Sequence, residues 1–346
     1  MSPAQGQDNE MVVMVVDALT RLLQEVWSSD PTASAATEQA FWQQVHEAGF
    51  LDVLLSAQEG GAEVPIPQLM PVLQAAGAHA LSLPLMSTVL GRWWLAQHEA
   101  LDRVSADDKI GFARGRFVDA SPLILNEADL ITPVDWLLVS VAAPRSNDEP
   151  LRETQVILLS GAALEPEQNT VTEGAIIDKK TVAAEDSTHI LAALGQSALL
   201  TGAAQHAMEL TLDYARQRTQ FGRSIGRFQA IQGQASEMAE QFFAMDMATR
   251  LAFSGWEDRS VRCSRVAMAK LVSSEAAFKI ATAAHAVHGA IGMTQEYELQ
   301  RFTRLLYQWR RACGAEGYWA GILGAEALNA PQEQASALDF ILARLA

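Results

Sequence analysis

The stretch Tyr-Ala-Arg-Gln-Arg-Thr-Gln-Phe-Gly, residues 214–222, is followed by Arg-Ser-Ile-Gly-Arg-Phe-Gln, residues 223–229. Gly222 and Gly226 permit a sharp turn between an amphipathic helix that ends here and a second one that begins. The turn carries four arginines, which are Arg216, Arg218, Arg223 and Arg227. Guanidinium groups bind phosphate oxygens through paired hydrogen bonds, so the turn predicts a site for a phosphate-bearing ligand. The alternative is a solvated helix end whose arginines complement the helix dipole.

Composition limits the classes of protein to consider. With 346 residues, 49% of them hydrophobic, the chain can bury a large core and is expected to form two or three domains. A formal net charge of −16 argues against a broad nucleic-acid surface. No apolar run approaches the roughly 20 residues that cross a bilayer, and the polar, acidic residues 1–10 do not resemble an export signal. We therefore expect a cytoplasmic protein that binds neither nucleic acid nor membranes.

The two cysteines, Cys263 and Cys313, are too few for a disulfide framework and have no metal-site spacing. A reducing compartment and the absence of a bound metal are therefore expected.

The region 1–107 is predicted to be a helical domain. Apolar residues at three-four spacing mark its first helix and are Val12, Val15, Val16, Leu19, Leu22, Leu23 and Val26. A second pattern begins at Phe41 and includes Val45 and Phe50, and Pro65 and Pro67 introduce a further helix after a glycine-containing turn.

The region 108–186 loses the helical period and is predicted to be a small β domain. Strand-like runs occur at 123–125, 136–141 and 156–159, separated by proline, asparagine, aspartate and glycine.

The region 187–346 is helical and rich in alanine, which predicts a four-helix bundle. One apolar stripe consists of Phe228, Ile231, Ala235, Met238, Phe242 and Met245. The small residues at 281–284 can pack against another subunit or within the chain. A terminal amphipathic helix after Pro331 contains Leu338, Phe340, Ile341 and Leu345, and either docks on a partner or closes the bundle.

The turn at 214–229, the segment 41–50 with its following Glu-Gly-Gly-Ala, and the α, β, α order of regions resemble the acyl-CoA dehydrogenase family over nearly the whole chain. The predicted fold class is therefore α+β, with an N-terminal helical domain, a trimmed middle β domain and a C-terminal four-helix bundle. The resemblance implies FAD as cofactor. It also implies that Arg218, Phe221 and Gln229 contact the FAD of a neighbouring subunit at its pyrophosphate and adenine.

Two departures from the family pattern concern a subunit's own flavin site. The Thr-Glu-Pro-x-x-Gly-Ser-Asp-like segment that holds the flavin ring is absent. The usual Gln-x-His-Gly-Gly run is Ala-Val-His-Gly-Ala at 286–290, so an amide is lost and a methyl group is gained. His288 is expected to be structural rather than catalytic.

The family's catalytic carboxylate has no clear counterpart. Its two usual places fall near Cys313 and near Ala192, and neither position is acidic. A thiol of ordinary pKa is a poor substitute base. Glu316, three residues beyond Cys313, is the one candidate, and no other catalytic residue is assigned.

These losses predict a subunit of a heteromeric, α2β2 acyl-CoA dehydrogenase whose paralogous partner supplies the base. The resemblance extends to the trimmed subunits of bacterial heterotetrameric enzymes that act on steroid or bile-acid side-chain CoA thioesters, and implies an electron-transfer acceptor. Two alternatives stay open. One is a self-sufficient homomeric enzyme with Glu316 as base, and the other is a structural relative that has lost FAD.

Overall fold

The structure of the protein is a computed structural model that describes residues 3–23, 35–117, 123–126, 133–142, 153–163, 170–171 and 176–328. None of the helices among these residues is long and apolar enough to cross a membrane. The predicted terminal helix after Pro331, and Val26 of the first helical pattern, lie outside the described residues.

Four helices form the N-terminal region, as predicted. They are α1 (Pro3–Leu22), α2 (Ala35–Glu47), α3 (Ile66–Ala78) and α4 (Leu85–Gln97). Pro65 is the N-cap of α3 and Pro67 lies in its first turn, where a missing amide hydrogen breaks no helical bond. The apolar residues Phe41, Val45 and Phe50 are buried, which confirms the second helical pattern.

The middle region contains a six-stranded sheet. Its strands are β1 (Ile110–Phe117), β2 (Leu123–Leu125), β3 (Trp136–Ala142), β4 (Glu153–Ser160), β5 (Thr170–Val171) and β6 (Ile176–Ala183). The strand order is β5-β2-β1-β3-β4-β6, in which only β1 and β3 pair in parallel. The three predicted strands correspond to β2, β3 and β4. The sequence analysis missed β1, β5 and β6.

The C-terminal region is a helical bundle. Its helices are α5 (Thr188–Gln217), α6 (Gln229–Ser254), α7 (Arg259–His288), α8 (Leu299–Trp309) and α9 (Glu316–Leu328). The three long helices pack on one another, α8 packs against α5 and α7, and α9 packs against α7. The described part of the bundle thus consists of three long helices and two short ones. The apolar stripe predicted on α6 faces inward, where Met238 and Met245 are fully buried.

The N-terminal helices and the bundle share one continuous core. Helices α3 and α5 approach so closely that a methyl group at Gly202 would collide with the carbonyl oxygen of Gln74. One face of the sheet joins this core through Phe112 and Leu158, while the opposite face has a core of its own around Val139. Because successive side chains along a strand point to opposite faces, the sheet contributes buried side chains to both cores.

The small residues at 281–284 belong to the interior of the chain. Ala281, Ala283 and Ala284 are buried within the bundle. Of the two alternatives that the sequence left open, packing within the chain is the one observed. The domain limits 1–107, 108–186 and 187–346 stay a prediction. The elements change type between Gln97 and Ile110 and between Ala183 and Thr188.

Candidate functional site

The arginine-rich turn is a short β-hairpin between the first two long helices of the bundle. Strands β7 (Thr219–Gln220) and β8 (Arg223–Ser224) pair antiparallel, and Phe221 and Gly222 form the tip. Both tip residues have left-handed backbones, with φ of 52° and 77°. A two-residue hairpin requires this geometry, which glycine adopts freely and phenylalanine does not. The turn therefore holds Phe221 in an unfavourable conformation, with its side chain 91% exposed.

Hydrogen bonds fix the hairpin to the end of α5. The Ser224 hydroxyl donates to the carbonyl oxygen of Ala215 at 2.7 Å, and the amide of Ile225 donates to the carbonyl oxygen of Arg218 at 2.9 Å. The side-chain amide of Gln232 donates to the carbonyl oxygen of Gly226 at 3.2 Å. The turn is therefore a preformed structure.

The four arginines of the turn have different surroundings. Arg216 is paired with Asp213 at 2.7 Å. The guanidinium carbon of Arg223 lies 4.2 Å from the centre of the Phe228 ring. Arg218 and Arg227 are exposed. The turn thus offers exposed guanidinium groups beside the rings of Phe221 and Phe228. This combination suits a phosphate attached to a flat ring.

All three cofactor contacts implied by the resemblance lie on the outside of the turn. Arg218 caps the end of α5, Phe221 is the hairpin tip, and Gln229 is the first residue of α6. Each is exposed. Because all three side chains are exposed, they are accessible to a ligand held by another subunit.

The run at 286–290 lies against this turn, which brings together two motifs some distance apart in sequence. The imidazole of His288 stacks on Tyr214 with ring centres 4.4 Å apart. Its Nδ1 lies 2.8 Å from the carbonyl oxygen of Ala284, and its Nε2 lies 3.3 Å from the Tyr297 hydroxyl. Burial lowers the pKa of His288 below 6.5. The residue is a packed, hydrogen-bonded support for the turn, as its expected structural role requires.

A small cavity lies where the N-terminal helices, the sheet and the bundle meet. Its volume is about 70 Å³, and its walls include Phe112, Gln196, Trp309 and Cys313. Pockets that bind a drug-sized ligand usually have a volume of about 300–1,000 Å³. The volume of this cavity is therefore below that range.

The walls of this cavity contain one unpartnered polar atom and no carboxylate among the described residues. Gln196 is 2% exposed, and its amide nitrogen has no hydrogen-bond partner. The two places where the family's base was sought are filled by the buried Cys313 and the buried Ala192. Proton abstraction within this cavity has no acidic side chain to perform it.

Glu316 lies at the start of α9 and does not line the cavity. Its Oε1 is 2.7 Å from both Nε and Nη2 of Arg310. The carboxylate is thus engaged in an ion pair that joins the end of α8 to the start of α9.

Sequence reasoning missed two buried polar groups behind this segment. Lys270 is fully buried, and its ammonium group donates to the Ser274 hydroxyl and to the carbonyl oxygens of Arg310 and Gly314 at 2.7, 3.0 and 3.0 Å. His189 stacks on Trp319 with ring centres 5.0 Å apart. In the sequence, these two residues could have been noticed only as a charged and a titratable residue within alanine-rich helical patterns.

Burial, with further contributions from the charges of Arg114 and Lys270, lowers the pKa of His189 well below 6.5. The imidazole is therefore neutral in the folded protein at neutral pH.

The fold and the turn define a class of protein with a helical region, a sheet and a helical bundle, and with a preformed arginine-rich hairpin between two helices of the bundle. Residues 191–321 match the family model of the acyl-CoA dehydrogenase C-terminal domain. That part of the chain is an acyl-CoA dehydrogenase C-terminal domain, and it includes the turn.

Curated relatives match over different lengths. Acyl-CoA dehydrogenase IpdE2 of Mycolicibacterium smegmatis is 25% identical over 300 residues, which cover 85% of this chain and 84% of that protein. The 3-sulfinopropanoyl-CoA desulfinase of Paraburkholderia xenovorans is 38% identical over 112 residues, which are 32% of this chain and 28% of that protein. The higher identity is thus confined to about a third of the chain.

Solved structures match the chain over most of its length. The Tcur3481-Tcur3483 steroid ACAD has a TM-score of 0.76 at 20% identity and covers 95% of this chain and 100% of its own. The ChsE4-ChsE5 complex from Mycobacterium tuberculosis has a TM-score of 0.70 at 19% identity and covers 96% and 99%. The chain has the acyl-CoA dehydrogenase fold, as the α+β prediction required.

Proposed function

We propose that the chain is one subunit of a heteromeric, FAD-dependent acyl-CoA dehydrogenase, in which it contributes the hairpin at 218–229 to the FAD of a paralogous partner. The observation that carries this proposal is the contrast between two places in the structure. The three residues matched to FAD contacts are exposed on the outside of the turn, whereas the chain's own interdomain cavity has a volume of only about 70 Å³. The residues fit a cofactor held by another subunit and do not fit one held by this chain.

The chain's residues act by binding and orienting the cofactor. Arg218 pairs with the pyrophosphate, Gln229 hydrogen-bonds the adenosine portion, and Phe221 presents an aromatic face beside them. FAD supplies the hydride acceptor for an acyl-CoA whose α-proton a carboxylate removes. That carboxylate belongs to the partner, since no acidic residue of the described part of this chain lines its cavity.

The proposed substrate and assembly are supported by the neighbours named above. One neighbour, Tcur3481-Tcur3483, is a steroid ACAD with a two-part name. The other, ChsE4-ChsE5, is a complex of two proteins. These support an α2β2 assembly that acts on the CoA thioester of a steroid or bile-acid side chain and yields the α,β-unsaturated thioester. The assembly would deliver the two electrons to a separate electron-transfer acceptor. We place this assembly in the cytoplasm.

Features of the structure argue against both alternatives. Glu316, the base required of a homomeric enzyme, is held by Arg310 outside the cavity. A relative without FAD would have no use for Phe221, whose exposed ring lies on an unfavourable backbone conformation. The ring contacts Phe228 edge-on, with ring centres 6.1 Å apart, but it stays 91% exposed, so burial accounts for little of its presence.

The test is to purify the chain alone and after co-expression with an acyl-CoA dehydrogenase paralogue, and to measure flavin absorbance and native mass. We expect colourless protein alone and a yellow heterotetramer with one FAD per pair of subunits. In that complex Arg218→Ala should lower the FAD content, and Arg304→Ala, an exposed arginine on α8, is the matched control. A yellow homotetramer with one FAD per chain would refute the proposal. Full FAD retention by the Arg218→Ala complex would refute the role of the turn.

A further inference from the structure

Three rings pack together next to the arginine-rich hairpin. The imidazole of His288 stacks on the ring of Tyr214, with ring centres 4.4 Å apart and planes inclined by 21°. The ring of Tyr297 packs against both, with its centre 5.0 Å from that of His288 and 6.0 Å from that of Tyr214. We call these three residues the ring cluster. It joins the end of α5, the end of α7 and the segment before α8.

The ring cluster is attached to the base of the hairpin through the backbone of α5. The carbonyl oxygen of Tyr214 accepts a hydrogen bond from the amide of Arg218 at 2.8 Å. The carbonyl oxygen of the next residue, Ala215, accepts from the Ser224 hydroxyl at 2.7 Å. A shift of Tyr214 would therefore displace the start of the hairpin at Arg218 and its return at Ser224.

The hydrogen bonds of His288 determine which of its nitrogens carries the proton. Nδ1 lies 2.8 Å from the carbonyl oxygen of Ala284, which only accepts, so Nδ1 carries the hydrogen and donates it. Burial lowers the pKa of His288 below 6.5, so the ring is neutral at neutral pH and Nε2 has a free lone pair. The Tyr297 hydroxyl, 3.3 Å away, is the donor to that lone pair. Tyr297 thus satisfies the one acceptor of a buried imidazole.

We propose that Tyr297 is a positioning residue for cofactor binding, because its hydroxyl holds the imidazole of His288 flat on Tyr214 and so fixes the end of α5 from which Arg218 extends. The inference rests on the proposed function, in which Arg218 pairs with the pyrophosphate of FAD. Tyr297 acts through the ring cluster and needs no contact with the cofactor. A hairpin that is ordered in advance loses less conformational freedom on binding, so its affinity is higher.

The ring cluster also links cofactor retention to pH. Protonation of Nε2 turns the buried ring into a cation and removes the lone pair to which Tyr297 donates. Because the ordered hairpin favours neutral His288, the affinity for FAD should fall as the pH decreases through the pKa of His288. The other titratable groups that influence the pKa of His288 or of Tyr297 are His285 on α7, Asp213 and Tyr214 on α5, and Glu298 at the N-cap of α8.

The experiment removes the hydroxyl of Tyr297 and keeps its ring. Tyr297→Phe is compared with Tyr307→Phe, which changes a tyrosine on α8 that is 37% exposed. In the full chain purified alone, the amides of Arg218 and Ile225 should exchange hydrogen about fivefold faster in Tyr297→Phe, a factor that corresponds to one net hydrogen bond. In the co-expressed complex the dissociation constant for FAD should rise by about the same factor. Tyr307→Phe should change neither quantity.

A titration separates positioning through His288 from a general effect on stability. Nuclear magnetic resonance of carbon-labelled histidine in the full chain reports the pKa of His288. Tyr297→Phe removes the donor to the neutral ring, so it should raise this pKa and move the loss of FAD affinity to higher pH. Tyr307→Phe should leave both at their wild-type values.

Unchanged exchange at Arg218 and Ile225, together with unchanged FAD affinity in Tyr297→Phe, would overturn the inference. Faster exchange spread evenly over the whole chain would assign the hydroxyl to general stability and overturn it as well. An unchanged pKa of His288 would show that Tyr297 does not donate to Nε2. Failure of the proposed function gives a different result, in which the FAD content of the complex is insensitive to Arg218→Ala although exchange and titration of the isolated chain respond as expected.

Discussion

The Nε and Nη2 atoms of Arg310 both lie 2.7 Å from the same carboxylate oxygen, Oε1 of Glu316. This pair closes the segment between α8 and α9, where the family would place its catalytic base. We therefore expect that Glu316, although close in sequence to the expected position, does not act as that base. The carboxylate is paired with Arg310 and is not among the residues that line the cavity.

Replacement of Glu316 by Gln in the heteromeric complex should therefore lower stability and leave turnover nearly unchanged. The half-buried ion pair should contribute about 1 kcal/mol to the free energy of unfolding. Turnover and thermal denaturation of the same preparation check both effects, and Glu275→Gln, at an exposed position on α7, is the control. A loss of turnover of about a thousandfold would show that Glu316 is a general base after all.

At the hairpin tip, two substitutions of Phe221 should have the same effect on cofactor retention and different effects on stability. Phe221→Gly and Phe221→Ala both remove the exposed ring, so both should lower the FAD content of the complex to a similar extent. Glycine accepts a φ of 52° whereas alanine does not, so the glycine variant should be more stable by about 1 kcal/mol. Chemical denaturation and flavin absorbance provide the two measurements. Equal stability of the variants would mean that the turn relaxes when the ring is removed.

His189 predicts a loss of stability in mild acid. Its folded-state pKa is depressed well below 6.5 by burial and then by Arg114 and Lys270. As the pH falls below about 6.5, the unfolded chain binds a proton at this residue that the folded chain does not bind, so stability decreases. His189→Phe, which keeps an aromatic ring on Trp319, should remove up to about 1.4 kcal/mol of this loss per pH unit.

The measurement for His189 is the free energy of unfolding of both proteins between pH 7.5 and pH 5. His285 and His288, whose pKa values are also lowered by burial, remain in both and supply the residual dependence. Parallel pH profiles for wild type and variant would contradict the prediction.

Lys270 predicts a large structural effect from a residue that touches no cofactor site. Lys270→Met removes one donor from each of the carbonyl oxygens of Arg310 and Gly314, which still accept from the Ser274 hydroxyl and the Trp319 indole. The loss of the three hydrogen bonds that the buried ammonium group donates should cost about 3 kcal/mol in total. Lys279→Met, at an exposed position on the same helix, is the matched control and should stay within about 0.5 kcal/mol of wild type. Similar stability of the two variants would show that the segment does not depend on Lys270.

Strands in the middle region show where sequence patterns were informative. The strands β3 and β4 are runs of Leu, Val and Ile and were predicted, because β-branched and aliphatic residues favour a buried pleated surface. Strand β1 contains Gly111 and Gly115, which weaken the pattern. A methyl group at either glycine would press against neighbouring side chains such as Leu137 or Leu123. The two glycines of β1 therefore fit the close packing around the strand, although their local propensity favours a loop.

The residues of the candidate site show the same division. Arg218, Phe221 and Gln229 were found from sequence because one continuous motif carries them all, and a local turn fixes their relation. That they bind the FAD of a partner stays a prediction. Lys270 and His189 were not found, because the contacts of Lys270 are with Arg310 and Gly314, 40 and 44 residues away, and His189 stacks on Trp319 of α9.

The sequence by itself determined the order of helical, sheet and bundle regions, the arginine-rich hairpin between two long helices and the lack of an acidic residue at the usual catalytic positions. These properties follow from local periodicity, turn residues and residue identity. Only the tertiary structure decided that the alanines at 281–284 pack inside the chain, that Glu316 is ion-paired with Arg310, and that the interdomain cavity is small. Each of these depends on side chains brought together from separate elements, and no spacing within one segment specifies such contacts.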